Sequence, residues 1–188
     1  MKHPFSGLPR ASIVAAAVAC ACAGAAAVVV LDATDAAFGT LLAAAALIIA
    51  AVDLDRFEIP DAATFAMFAL GVAWTQAWRL DVETLMQALL RSLVVAGALL
   101  AVRTGYRALR KVDGLGLGDV KLAGAGAAWL SYPHIAFAFA IAVGAAIAVL
   151  VGRSIAAKEP IDAQAAVPFG TFLAPAIWLA WFAQVSAT

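Results

Sequence analysis

Two short acidic stretches hold most of the chemistry this sequence could perform. One runs from Asp53 through Asp55, Arg56, Glu58, Ile59 and Pro60 to Asp61, and the other from Gly114 through Gly116 and Gly118 to Asp119, Lys121 and Leu122. Asp53 follows the apolar run 48–52 with no turn residue between them, so its carboxylate belongs near a membrane boundary. An ionisable group in that position is costly and is a functional candidate by default. Asp119 follows glycines at 114, 116 and 118, where side chains are given up so that backbone can bend or be approached closely. Two carboxylates that share one proton can act as base on a water and as acid to a carbonyl oxygen, which is aspartic protease chemistry.

Other chemistries are poorly represented. His3 lies in the N-terminal tail and His134 in a link on the opposite face, while Cys20 and Cys22 sit two apart inside an apolar block. That spacing excludes a disulfide framework and a four-cysteine zinc site. A metal on Asp53, Asp55 and Glu58 would lack a histidine or a fourth ligand, so no metal and no cofactor is expected. The neighbouring charges have plainer readings. Asp61, directly after Pro60 and before an apolar run, is expected to cap a helix. Asp55, Arg56 and Glu58 read as link residues, and Asp113 reads as a loop charge.

These residues must be positioned by elements written for lipid. The chain has 188 residues, 65% hydrophobic and 13% charged, against about 45–50% and 25% in soluble domains. Apolar blocks run over 12–31, 38–52, 62–78, 84–102, 119–131, 134–152 and 168–184. They predict an all-α polytopic membrane protein of about seven helical segments. Small residues such as Gly124, Ala128, Gly144 and Ala148 are expected at close helix contacts. The block 119–131 is too short to cross alone, so its glycine-rich approach must be covered by protein or line a wet cavity.

Charge sets the orientation. With 12 basic and 12 acidic residues the net charge is zero, which gives no argument for nucleic acid as a partner. The basic residues are strongly asymmetric. Alternate links hold Lys2, Arg10, Arg56, Arg103, Arg107, Arg110, Lys111, Lys121, Arg153 and Lys158, whereas the opposite links hold Arg79 and Arg91 falls within a helix. The basic side is cytoplasmic by the positive-inside rule. Both acidic stretches lie on it.

At these positions the sequence resembles the prepilin peptidases, the type IV leader peptidases of the GxGD class of intramembrane aspartyl proteases. Asp53 with Ile59, Pro60 and Asp61 is similar to the family's first aspartate motif, and Gly116, Gly118, Asp119 and Lys121 to its second. Pro168, Phe169 and Gly170, opening the last apolar block, resemble a third signature. The resemblance implies that Asp53 and Asp119 are the catalytic pair and that the other motif residues support them. It implies a six-helix peptidase core over 38–188; the cytoplasmic tail and extra membrane helix read over 1–37 are where the chain departs from the family.

The substrate implied is the short basic leader of a type IV prepilin or pseudopilin, cut on the cytoplasmic face of a bacterial inner membrane. Pilus or secretion assembly proteins are further candidate partners, beside membrane lipid. Bifunctional members of the family carry a tetracysteine domain and also N-methylate the product. The two cysteines here do not supply one, so the chain looks more like the short, peptidase-only form that serves Flp/Tad-type pili. Asp55, Glu58 and Asp113, with Asp61, are candidate counter-charges for a basic leader. Two other readings compete: a proton- or cation-coupled transporter using the same carboxylates, and a catalytically inactive pilus or secretion scaffold. Helix poles alone predict an ionised Asp119 at the start of its helix and a protonated Asp53 at the end of its own.

Overall fold

A computed structural model of the chain describes Ala25 and residues 29–78, 80–111, 114–158 and 167–187. Those residues form six helices: α1 Ala33–Arg56, α2 Asp61–Trp78, α3 Val82–Arg110, α4 Leu117–Ala127, α5 Tyr132–Ala157 and α6 Gly170–Ser186. No strand occurs among the described residues. The protein is therefore all-α, as the composition predicts. The expected N-terminal segment 12–31 and the region 1–37 built around it fall largely outside the described residues.

Helices α1, α3 and α5 are long and apolar enough to cross a membrane. Several helices outrun the apolar blocks that announce them. Helix α3 continues eight residues past 102 and ends at Lys111, whose backbone is left-handed. Thus Arg103, Arg107 and Arg110, expected in a link, lie on the helix. Arginine, alanine and leucine are all good helix formers, so loss of apolarity marks the edge of the lipid and not the end of the helix. For the same reason α1 takes in Asp35 at one end and Asp55 and Arg56 at the other.

Helix α4, only 11 residues long, is the centre of the packing and touches α2, α3 and α6. Its residues Leu122–Ala127 are all buried. The sequence makes this possible by offering little side chain. A Cβ added at Gly124 would lie 3.0 Å from the Cβ of Ala96 on α3, and one at Gly126 would strike Ile177 on α6. The turn after α4 closes with Ala128, Trp129 and Leu130 buried. Its polar groups are met within the protein: Gln184 donates to the Trp129 carbonyl at 3.1 Å and accepts from the Ser131 N–H at 2.7 Å. Arg91 donates to the Ala127 carbonyl at 3.4 Å. A short helix and its turn can therefore sit at membrane depth without orphaned backbone groups.

On α5 the small-residue contact differs from the expected one. The buried residues are Ala138, Ala142 and Ala146, four apart, and α5 packs mainly on α6. Nothing lies within 4 Å of a Cβ at Gly144, and Ala148 is exposed. In an alanine-rich helix several faces carry small residues, so composition alone does not choose among them. The opposite face of α5, with Phe137, Val143 and Ile147, and much of α3, with Leu89, Leu93 and Val94, remains exposed. Lipid tails solvate such faces as well as a protein core would.

The two ends of the bundle differ in chemistry. At one end Asp35 is buried and accepts from Trp74 Nε1 at 2.7 Å and Trp78 Nε1 at 3.0 Å. Trp74, Trp129 and Trp181 stack or meet edge-on beside it. The 18 residues from Asp35 to Asp53 on α1 span about 27 Å at 1.5 Å per residue. Asp53 therefore stands at the other end.

Candidate active site

The C-terminal turn of α1 and the N-terminal ends of α2, α4 and α6 meet around an open cleft of about 710 Å³. Asp53, Glu58, Ile59, Pro60, Asp61, Gly116, Gly118, Asp119, Lys121, Pro168 and Phe169 all line it. Three motifs separated by more than 40 residues of chain each are thus brought to one place. Two expected site residues are not brought in. Asp55 is exposed beside Arg56 at 3.8 Å and does not line the cleft, and Asp113 lies outside the described residues.

Asp53 is 4% exposed. It enters in the last turn of α1, where Phe57 caps the helix by donating its N–H to the Asp53 carbonyl. Its Oδ2 accepts from the backbone N–H of Thr171 at 2.8 Å and faces the Thr171 hydroxyl at 3.2 Å. That hydroxyl also lies 3.2 Å from the Ala50 carbonyl. The amides at the start of a helix have no intrahelical acceptors, so the first turn of α6 is a natural donor for a carboxylate. Sequence reasoning stopped at Gly170 and missed Thr171. The available signal was a hydroxyl residue in the first turn of a helix that opens beside a motif.

Asp119 stands in the first turn of α4, half-buried. Burial, and then the nearby Asp53 charge, push its carboxyl up from 3.8 to about 6, against a backbone hydrogen bond from Gly116. This direction is opposite to the one expected from the helix pole. A helix terminus contributes at most about 2 kcal/mol in favourable geometry, and removal from water next to a second carboxylate outweighs it here.

The glycines of the motifs are steric requirements of this arrangement. A Cβ at Gly116 would lie 2.8 Å from Asp119 Oδ2. One at Gly118 would lie 3.0 Å from Ile59 Cβ, and one at Gly170 would lie 2.7 Å from Ile59 Cδ1 and 3.1 Å from Asp53 Oδ2. Ile59 therefore fits between two glycines, one from each of the other motifs. Lys121 joins the same elements from outside. Its ammonium lies 2.7 Å from Asp61 Oδ1, linking the first turns of α4 and α2. Asp61, expected to cap this helix, is the first residue of α2 and is engaged with Lys121.

Near the cleft mouth the approach to α4 is set below the end of α3. Arg103 Nη1 donates to the Leu115 carbonyl at 3.2 Å, seven residues, or about 10 Å, before α3 ends. Ser131 and His134, 2.8 Å apart, lie beside Gln184 at the far end of the bundle. Among the described residues no three His, Cys, Asp or Glu side chains are grouped to hold a metal ion.

Residues 40–151 match the model of the type IV leader peptidase family. The chain belongs to the type IV leader peptidase family. Leader peptidase HopD of Escherichia coli is 34% identical over 119 residues, which cover 63% of this chain and 74% of HopD. No solved structure matches the chain. The part matched by the leader peptidase model contains both aspartate motifs, while Pro168–Gly170 and Thr171 lie beyond it. Membership makes the protein a membrane-bound peptidase, and the cleft is the place where its acidic and glycine motifs converge.

Proposed function

We propose that this leader peptidase is an intramembrane aspartyl endopeptidase in which Asp53 and Asp119 are the catalytic pair. The observation that carries this reading is that two carboxylates from different helices open on one cleft, close enough for the charge of one to raise the other. A carboxyl titrating near 6 exchanges its proton close to neutral pH, which suits a group that must give and take one in each turnover. Asp53, with donors already on Oδ2, takes a proton from the attacking water, and Asp119 gives its proton to the scissile carbonyl oxygen. The tetrahedral intermediate then collapses as the nitrogen takes the proton from Asp53 and the C–N bond breaks, while the hydroxyl proton returns to Asp119. The pair ends as it began.

The substrate is the basic leader of a type IV prepilin or pseudopilin, including the Flp/Tad type, cut on the cytoplasmic face of the bacterial inner membrane. The basic bias of the links on the cleft side supports that orientation. Glu58 is the carboxylate at the cleft best suited to a basic leader, since Asp61 is engaged by Lys121 and Asp55 lies outside the lining. The test is cleavage of a purified type IV prepilin in membranes containing Asp53→Asn or Asp119→Asn. Near-normal cleavage by either variant, at normal insertion, would overturn the assignment.

A further inference from the structure

Among the groups around the cleft, Thr171 stands out because it belongs to none of the three motifs and yet meets the Asp53 carboxylate through both its backbone and its side chain, beside the backbone of Gly170. Both its contacts fall on the same oxygen. Oδ2 receives the Thr171 N–H at 2.8 Å and faces the hydroxyl at 3.2 Å. Both Thr171 donors fall on Oδ2, which disposes Oδ1 as the oxygen that exchanges a proton, although the Thr171 N–H also lies 3.2 Å from the Pro168 carbonyl. The hydroxyl has a second acceptor, the Ala50 carbonyl, also at 3.2 Å and one helical turn before Asp53 on α1. One hydroxyl hydrogen cannot be given fully to both. It turns toward whichever oxygen carries more negative charge.

We propose that Thr171 is a positioning residue for the reaction: it holds Asp53 through Oδ2, so that Oδ1 is the base, and its hydroxyl follows the charge of Asp53. While Asp53 is ionised the hydroxyl donates to Oδ2. Once Oδ1 has taken the proton of the attacking water, Oδ2 becomes a weaker acceptor and the hydroxyl turns to the Ala50 carbonyl. No bond between heavy atoms changes in this rotation. The backbone N–H stays on Oδ2 throughout, so the carboxyl keeps its place while its protonation changes. The glycine before Thr171 is part of the device, because a Cβ at Gly170 would lie 3.1 Å from the same Oδ2.

This inference rests on the reading of Asp53 as a catalytic carboxylate, and the experiment separates the two. Cleavage of a purified type IV prepilin is measured for Thr171→Ser, Thr171→Val and Asp53→Asn. Serine keeps the hydroxyl and should stay within about twofold of the wild type. Valine keeps the shape and the backbone donor but loses the hydroxyl, and should lower kcat about tenfold with KM unchanged, the effect of one hydrogen bond to a charged group. Difference infrared spectra of protein labelled with 13C-aspartate supply a second readout that needs no turnover. The carboxylate band absent from Asp53→Asn should shift in Thr171→Val and not in Thr171→Ser. A wild-type kcat and an unshifted band in Thr171→Val would overturn the inference while leaving the peptidase reading intact. Equal losses in the serine and valine variants would also overturn it, because the methyl packing would then be what matters. Retained cleavage by Asp53→Asn would remove the reading beneath it.

Discussion

At the residue scale the two aspartates are held differently, and the difference can be measured. Asp53 is nearly enclosed and carries donors from α6, whereas Asp119 is half-buried and feels both desolvation and its neighbour's charge. Asp53→Asn and Asp119→Asn should each reduce prepilin cleavage by about 1,000-fold or more, the usual scale for removing a group that acts in the reaction. Asp55→Asn should keep most activity, because Asp55 does not reach the cleft. Asp119 also makes a stability prediction. Its folded pKa lies above its ordinary value, so the folded state binds the proton more tightly and loses stability as pH rises from about 4 through about 6. Replacing it with asparagine should therefore raise thermal stability at pH 7, by on the order of 3 kcal/mol, and have little effect near pH 4. Melting curves in detergent at both pH values test this, and an equal gain at both would refute the electrostatic cause.

At the element scale the site depends on how closely four helix ends approach. Ile59 lies between Gly118 and Gly170, so the loop from α1 to α2 reaches the first turns of α4 and α6 at once. Gly170→Ala should cost about 1–3 kcal/mol through overpacking and disturb Asp53 directly. Gly105→Ala and Gly144→Ala, where an added Cβ meets nothing within 4 Å, should be neutral or gain about 0.5–1 kcal/mol of helix stability. Comparing melting temperatures and cleavage rates across the three variants distinguishes a steric requirement from general glycine flexibility. The Lys121–Asp61 pair is exposed on both sides and should contribute only about 0.2–1 kcal/mol. A double-mutant cycle on stability that returned several kcal/mol would contradict the surface character assigned to it.

For the whole molecule, the fold places its acidic cleft and its tryptophan cluster at opposite ends of the same helices. The α1–α2, α3–α4 and α5–α6 connections share the cleft end, and the α2–α3 and α4–α5 connections share the other. Cysteines introduced near Arg56, Gly116 and Ala157 should therefore react from one side of the membrane, and those near Thr34, Thr84 and Ser131 from the other. In the orientation proposed above the first side is the cytoplasmic one. Labelling of intact cells with an impermeant thiol reagent decides the point. Modification of the Gly116 site from outside, with Arg56 protected, would be incompatible with a cleft lined by both.

The all-α class is legible in the composition alone, because blocks of apolar residues need helices wherever backbone must satisfy its own hydrogen bonds in lipid. The sequence also marks which stretches hold the chemistry, since carboxylates at the edges of apolar blocks and glycines spaced two apart are local features. It did not determine the ends of α1 and α3, because helix propensity continues past the point where apolarity stops. Nor could it choose Ala138, Ala142 and Ala146 over Gly144 and Ala148 as the contact face of α5, where small residues occur on several sides. That Thr171 meets Asp53, 118 positions apart in the chain, and that Ile59 needs both Gly118 and Gly170, emerges only once the helices have packed. The ionisation of Asp119 belongs to the same category. Helix position is written in the sequence, but desolvation and the distance to a second carboxylate exist only after four helix ends have closed around one cleft.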